Sequence, residues 1–204
     1  MIYDYEVKDG KFFYVNRYDD GAVVKYDDKG RKTYYKSEEG YEEHWYEYDD
    51  DGNMIHYRNQ SGYEEWKEYL DWLVIHSWDN EGLEQWWEYD FPSDECIYHK
   101  DNKGKEEWWE RDDFGHCIHY KNSDGKEKWY EYNSKGKKVS SHYKDTDGVE
   151  KWYDYDSNGN EIHLKCNDGF ERWDEYDANG YMIHEWANDG YEWFSKDYEE
   201  RRAC

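Results

Sequence analysis

Gly148-Val149-Glu150-Lys151-Trp152-Tyr153-Asp154-Tyr155-Asp156-Ser157-Asn158-Gly159-Asn160-Glu161-Ile162-His163-Leu164 is the stretch that decides the fold. Charged and aromatic residues alternate up to Tyr155, an Asp/Asn/Gly cluster follows, and a second aliphatic segment returns. Two short aromatic or β-branched segments bounded by turn residues spell a β-hairpin. Asp156, Asn158 and Gly159 tolerate the positive φ of a tight turn. A helix is excluded because turn clusters arrive every ten or so residues.

The same unit recurs along the chain. Glycines fall at Gly40, Gly62, Gly82, Gly104, Gly125, Gly148, Gly169 and Gly190, in steps of 20 to 23 residues. Two positions after each comes an acid: Glu42, Glu64, Glu84, Glu106, Glu127, Glu150, Glu171 and Glu192. Tryptophan follows at Trp45, Trp66, Trp86, Trp108, Trp129, Trp152 and Trp173, with Trp193 one place early in the last copy. A second acid stands two residues on: Glu47, Glu68, Glu88, Glu110, Glu131, Asp154 and Glu175. After the inner turn comes Ile-His, as in Ile55-His56, Ile118-His119, Ile162-His163 and Ile183-His184.

This periodicity predicts an all-β chain. It is a tandem array of about eight ~21-residue β-hairpin repeats in a long twisted antiparallel sheet or solenoid-like ribbon, with a short C-terminal cap. Residues 1–39 read as degenerate N-terminal copies, 40–194 as the array and 195–204 as the cap, all one continuous structural unit. Leu70-Asp71-Trp72-Leu73 and Phe91-Pro92-Ser93-Asp94 replace the inner turns of two copies, and Pro92 is the sole proline. Ser195–Arg202 reads as a short capping helix.

The composition fits a folded but unusual chain. High charge with few aliphatics ordinarily signals disorder, yet 13 Trp, 25 Tyr and 6 Phe supply the missing burial, at ~150–250 Å² each. The formal net charge of −25 argues against nucleic acid or an anionic membrane as direct ligand, because acidic surface repels phosphate. No apolar stretch approaches the ~20 residues that span a bilayer. Met1-Ile2-Tyr3-Asp4-Tyr5-Glu6 lacks the basic start and apolar run of a secretory signal. Cys96 and Cys117 occupy the same slot of adjacent repeats, ~9.6 Å apart at strand spacing and beyond disulfide reach. All four cysteines, with Cys166 and Cys204, are therefore expected as thiols in a protein of the host-cell cytoplasm.

The Tyr-Asp-x-x-Gly turn at this period, as in Tyr26-Asp27-Asp28-Lys29-Gly30, Tyr155-Asp156-Ser157-Asn158-Gly159 and Tyr176-Asp177-Ala178-Asn179-Gly180, resembles the YD (Rhs-type) repeat of bacteria over roughly residues 20–190. The resemblance implies a long antiparallel sheet that curls into a shell or spiral, often around a toxin. Here the glycine is not followed by that family's Arg-Leu. A weaker similarity is to the aromatic hairpin repeats of choline- and glucan-binding wall modules.

Catalytic chemistry finds no support. There is no nucleophile elbow, P-loop or paired zinc motif, and carboxylate pairs such as Glu127 and Glu131 recur in every unit, whereas an active site is singular. His56, His76, His99, His119, His142, His163 and His184 recur once per repeat. Their ~9.6 Å steps are too long to share a zinc ion, so cross-strand His–Glu hydrogen bonding is expected. Asp49-Asp50-Asp51-Gly52-Asn53 and Asp145-Thr146-Asp147-Gly148 lack the spaced ligand series of a calcium loop. Turn chemistry accounts for them. No catalytic residue, metal site or cofactor is expected.

Strand alternation puts both acids and the tryptophan of each copy on one face. The expected partner-binding surface comprises the acids Glu42, Glu47, Glu64, Glu68, Glu84, Glu88, Glu106, Glu110, Glu127, Glu131, Glu150, Asp154, Glu171 and Glu175, with the indoles of Trp66, Trp86, Trp108, Trp129, Trp152 and Trp173 between them. Stacked carboxylates repel one another, and solubility alone does not require so large a charge. A linear polyanion suits a basic protein surface that normally receives nucleic acid. The leading expectation is a non-enzymatic inhibitor acting by nucleic-acid mimicry, of anti-CRISPR or anti-restriction type, and the other readings are a carbohydrate- or cation-binding wall module and a YD-repeat scaffold or immunity protein of a toxin system. A homodimer through open sheet edges is a further expectation.

Overall fold

The computed structural model describes residues 2–196. These carry nineteen β-strands. The first pairs are β1 (Ile2–Lys8) with β2 (Lys11–Arg17), and β3 (Val23–Tyr26) with β4 (Lys32–Lys36). Then come β5 (Glu43–Tyr48), β6 (Met54–Asn59), β7 (Glu64–Leu70), β8 (Leu73–Asp79), β9 (Glu84–Asp90) and β10 (Glu95–Asp101). The remainder are β11 (Glu106–Arg111), β12 (Cys117–Asn122), β13 (Glu127–Tyr132), β14 (Lys138–Lys144), β15 (Glu150–Tyr155), β16 (Glu161–Cys166), β17 (Glu171–Tyr176), β18 (Met182–Ala187) and β19 (Glu192–Phe194). Two compact units result: one takes the residues up to Glu88 together with His99–Lys103, the other takes Tyr89–Tyr98 and the residues from Gly104 onward.

The expected all-β array of antiparallel hairpins is what forms. In both units strands consecutive in sequence pair antiparallel, as β5 with β6, β6 with β7, β13 with β14 and β17 with β18. The first forty residues, expected as loose copies, are two regular hairpins. The first turns through Asp9 and Gly10, both at positive φ, the pairing that suits a two-residue hairpin turn. The capping helix expected over Ser195–Arg202 lies largely outside the described residues.

The tyrosine and the Asp that follows it, where present, do two jobs at the inner turns. Asp156 Oδ1 accepts from the backbone N–H of Asn158, Gly159 and Asn160 at 2.8, 2.9 and 3.0 Å. Asp49 serves Gly52 and Asn53 in the same way at 2.8 Å each. Both carboxylates are thus engaged inside their own turns. The tyrosine ties neighbouring hairpins together. The hydroxyl of Tyr48 donates to the Lys32 carbonyl at 2.9 Å, that of Tyr69 to Met54 at 2.9 Å and that of Tyr132 to Cys117 at 3.1 Å. A register shift just before the tyrosine, between Glu47 and Tyr48 or Glu131 and Tyr132, is a bulge that re-aims the phenol toward the preceding hairpin.

The outer turns carry a second tie. In the second unit the Asn188 amide donates to the Gly169 carbonyl at 2.7 Å while its oxygen accepts from the Glu171 N–H at 3.1 Å. In the first unit Asn102 makes the same pair of bonds to Gly82 and Glu84, at 2.8 and 3.2 Å. Each asparagine satisfies backbone groups that would otherwise be left to water.

Few side chains are fully buried. Val15, Val24, Cys166 and Ala187 are the buried apolar residues among those described, with Ser77, His99 and Asp174 as the buried polar ones. Most strand residues are half-buried on both faces. Stability therefore comes from lateral contact between aromatic neighbours on adjacent strands, at roughly 0.5–1.5 kcal/mol per well-placed pair beyond area burial, rather than from a closed core.

Candidate functional site

Alternation along β7 places Glu64, Trp66 and Glu68 on one face, and the register seats Trp66 opposite His56. The two rings stack at 5.0 Å with planes 6° apart, and His76 stacks on Trp86 at 5.2 Å in the same unit. In the second unit His119 lies on Trp129 and His163 on Trp173, each at 5.2 Å, while His142 sits 4.5 Å from both Trp129 and Trp152.

Each of these imidazoles is also held by acids. His56 reaches Glu47 at 3.4 Å and Glu64 at 3.1 Å, and His76 reaches Glu68 and Glu84 at 3.3 and 3.0 Å. His119 meets Glu110 at 3.2 Å and Glu127 at 2.9 Å. His163 meets Asp154 at 3.1 Å and Glu171 at 3.5 Å, and His184 meets Glu175 and Glu192 at 3.3 and 3.1 Å. The expected cross-strand His–Glu bonding is present: at His76, His119 and His184 it takes the form of a carboxylate–imidazole–carboxylate clamp, whereas His56, His142 and His163 each hydrogen-bond one carboxylate. A carboxylate only accepts, and a neutral imidazole carries one N–H, so one proton serves one arm of the clamp at a time.

The clamp divides the acids into two rows. Glu64, Glu127, Glu150 and Glu171 have side chains 29–30% exposed. Glu47, Glu68, Glu110, Asp154 and Glu175 are 51–69% exposed. Glu88 and Glu131 are exposed as well, and there Ser140 rather than histidine stands opposite Glu131. In most copies the second acid is the one that an approaching molecule meets, although the first acids Glu84 and Glu192 are themselves 41% and 57% exposed.

The slot two residues beyond each histidine, or beyond Tyr98 where tyrosine takes the histidine's place, was missed by sequence reasoning. Arg58 lies over Trp45 at 4.5 Å, Lys100 over Trp86 and Lys121 over Trp108 at 4.9 Å each. Trp78 stacks on Trp66 at 6.0 Å and Trp186 on Trp173 at 5.9 Å. Aligning the returning strands by their histidines would have exposed this column of cations and indoles. The indoles between the acids are thus flanked by the protein's own imidazoles, ammonium groups and rings, and Trp152 is the most open of the set at 36%.

Three sequence assignments shift. Glu42 lies outside β5 and is exposed, because its copy has one extra residue before the tryptophan; Glu43 takes the strand slot and pairs with Lys36 at 3.0 Å. His99 is not in the histidine row. It is buried on the other face beside Trp87, at 5.2 Å, with Gln85 at 3.1 Å, and Tyr98 fills its slot against Trp108 at 5.5 Å. The Ile97-Tyr98-His99 order moved the imidazole by one residue, which flips its face. For the same reason Trp193 faces away, opposite Glu185, and Phe194 stacks on His184 at 4.1 Å.

The opposite face is a phenol and indole surface. Tyr46 packs on Tyr57 at 5.5 Å and Trp109 on Tyr120 at 5.6 Å. Burial, then the hydrogen bond that Tyr120 donates to Glu107 at 2.8 Å, push that phenol up to about 12. Burial also raises the Cys96 and Cys117 thiols, which makes them poor nucleophiles at neutral pH. Among the described residues no three His, Cys, Asp or Glu side chains converge as a metal site, and no helix is long and apolar enough to cross a membrane.

No family model and no curated protein matches this sequence. Solved structures do. The chain is similar to a Tc holotoxin pore structure from Photorhabdus luminescens, with a TM-score of 0.55 and 13% identity over 88% of this chain and 12% of that one. It is likewise similar to a chain of a TcdB2–TccC3–Cdc42 complex, with a TM-score of 0.54 and 13% identity over 89% of this chain and 10% of that one. At such identity the likeness concerns fold alone: the protein has a YD/Rhs-repeat-like fold. It spans about a tenth of the length of those chains.

Proposed function

We propose that this protein is a non-enzymatic acidic binding protein. It mimics nucleic acid and occupies the basic nucleic-acid-binding surface of a partner such as a defence nuclease. The observation that carries the reading is the row of outward second acids, Glu47 and Glu68 in one unit and Glu110, Asp154 and Glu175 in the other, each 51–69% exposed. Within a unit such residues repeat once per hairpin, about 9.6 Å apart at ordinary strand spacing. An evenly spaced track of exposed carboxylates attracts a basic groove, accelerates encounter and repels nucleic acid itself. The covered indoles supply stiffness to the track rather than open stacking platforms, which favours this reading over carbohydrate binding.

The test is salt-graded capture of partners on the wild type and on a variant with Glu110→Gln, Asp154→Asn and Glu175→Gln, with duplex DNA as competitor. Binding that weakens steeply with salt, yields to DNA and is lost in the variant supports the reading. Binding indifferent to salt and to the three substitutions overturns it.

A second reading, a scaffold or immunity protein of a toxin system, is favoured by the likeness to the Tc holotoxin structure. It predicts a partner that binds the variant and the wild type equally.

A further inference from the structure

Asp174 breaks the pattern of the phenol face. Its slot is aromatic or basic in other copies, as in Tyr46, Lys67, Trp109, Tyr130 and Tyr153. Here a carboxyl is 3% exposed. One of its oxygens, Oδ2, accepts from Arg172 Nη2 at 3.0 Å. The other, Oδ1, is buried with no hydrogen-bond partner. An orphaned buried acceptor is costly, and a proton on the carboxyl would relieve it.

The neighbours of Asp174 supply more acid than base. Glu185 on β18 is its direct partner in register and lies within hydrogen-bonding reach. Glu161 on β16 holds the same Arg172 Nη2 at 2.8 Å, and Glu185 approaches Arg172 Nε at 3.7 Å. Three carboxylates therefore share one guanidinium. Tyr176 on β17, Tyr153 on β15 and Tyr191 beyond β18 lie near the cluster and bring no positive charge, and Lys138 acts on Glu161 as a further cation. Like charges placed directly opposite across two strands destabilise the pair unless a proton sits between them.

We infer that Asp174 is a buried proton-binding site: its carboxyl holds a proton on Oδ1 above the ordinary carboxylate range and donates it to Glu185, latching β17 to β18. The O–H removes the orphaned acceptor, reduces the negative charge of the cluster from −2 to −1 and leaves Oδ2 on Arg172. Burial raises the Asp174 carboxyl above its ordinary value, and the attraction of Arg172 only partly offsets this. A carboxyl raised in the folded state contributes stability that is complete below its unfolded value of 3.8 and is lost as pH rises through the folded value. The latch thus opens on the alkaline side. On the reverse face of the same strand pair stand Glu175 and His184, 3.3 Å apart.

The experiment has two readouts on the full chain. The ¹³C resonance of the Asp174 carboxyl is followed against pH, and amide exchange in β17 and β18 is compared between wild type and Asp174→Asn. The amide of the variant donates to Glu185 and accepts from Arg172 without titrating. Expected are a carboxyl carbon that remains in its protonated state well above pH 3.8 and, in the wild type alone, an opening constant that rises by up to about tenfold per pH unit across that window. An Asp174 carbon that titrates at or below its ordinary value overturns the latch, as does an equal pH slope in Asp174→Asn. Should the variant fail to fold, the wild-type carbon titration decides alone.

Discussion

The imidazole of His119 lies 5.2 Å from the indole of Trp129 with their planes 12° apart, while its two nitrogens reach Glu110 and Glu127. One histidine therefore serves as ring spacer and as proton bridge between successive hairpins. Replacing Trp129 by Ala removes the ring against which both His119 and His142 lie. The expected loss is about 2–3 kcal/mol, below the range for a fully buried tryptophan because this one is half-exposed. Urea denaturation of Trp129→Ala checks this, and a His119→Ala cycle should recover a coupling of about 1 kcal/mol.

Asn188 and Tyr132 secure opposite ends of the hairpins in the second unit. Asn188→Ala deletes the two bonds to Gly169 and Glu171 and is expected to cost about 1–2 kcal/mol. Tyr132→Phe keeps the ring and loses only the bond to the Cys117 carbonyl, for about 1 kcal/mol. Hydrogen exchange should place the first loss at the outer turn and the second at the inner turn. Uniform protection changes in both would refute the assignment.

Repeat period, hairpins and alternation were legible because turn chemistry recurs at most inner turns and strand alternation has a period of two. Glu42 and Trp193 were misplaced by a single inserted or missing residue, since counting from the glycine ignores where the strand begins. His99 was misassigned because composition cannot show which side of the sheet a residue takes; only its order after Ile97 does. The Asn188 tie and the Arg58 cover over Trp45 were invisible, as both join residues that are adjacent only after neighbouring hairpins align. Asp174 carries no signal in the repeat pattern, because its copy is the one whose slot holds a carboxyl instead of an aromatic or basic side chain.

Acid should loosen the inner turns. The side-chain bond from Asn53, together with backbone N–H groups, outweighs burial and holds the Asp49 carboxyl below its ordinary 3.8. A depressed carboxyl contributes stability that is present above the unfolded value and is lost as pH falls through the folded one. Asp49→Ala should therefore shrink the acid dependence of unfolding below about pH 4 while leaving the neutral-to-alkaline limb unchanged. An acid limb identical to wild type counts against this role for Asp49.

Alkaline titration offers a spectroscopic check on the phenol face. Tyr120, held up at about 12, should be among the last phenols to ionise. Glu107→Gln removes the carboxylate that accepts its proton and should bring its ionisation earlier, read as tyrosinate absorbance against a Tyr120→Phe control. No change between Glu107→Gln and wild type would show that burial alone sets the value.

The ties made by Tyr48, Tyr69, Tyr132, Asn102 and Asn188 all reach one hairpin back and no further. Inside either unit, cohesion is therefore a nearest-neighbour sum, as in a one-dimensional chain of coupled links. A fault in one link should raise the local opening rate and fade within a repeat or two, so that the molecule frays in stages instead of melting all at once.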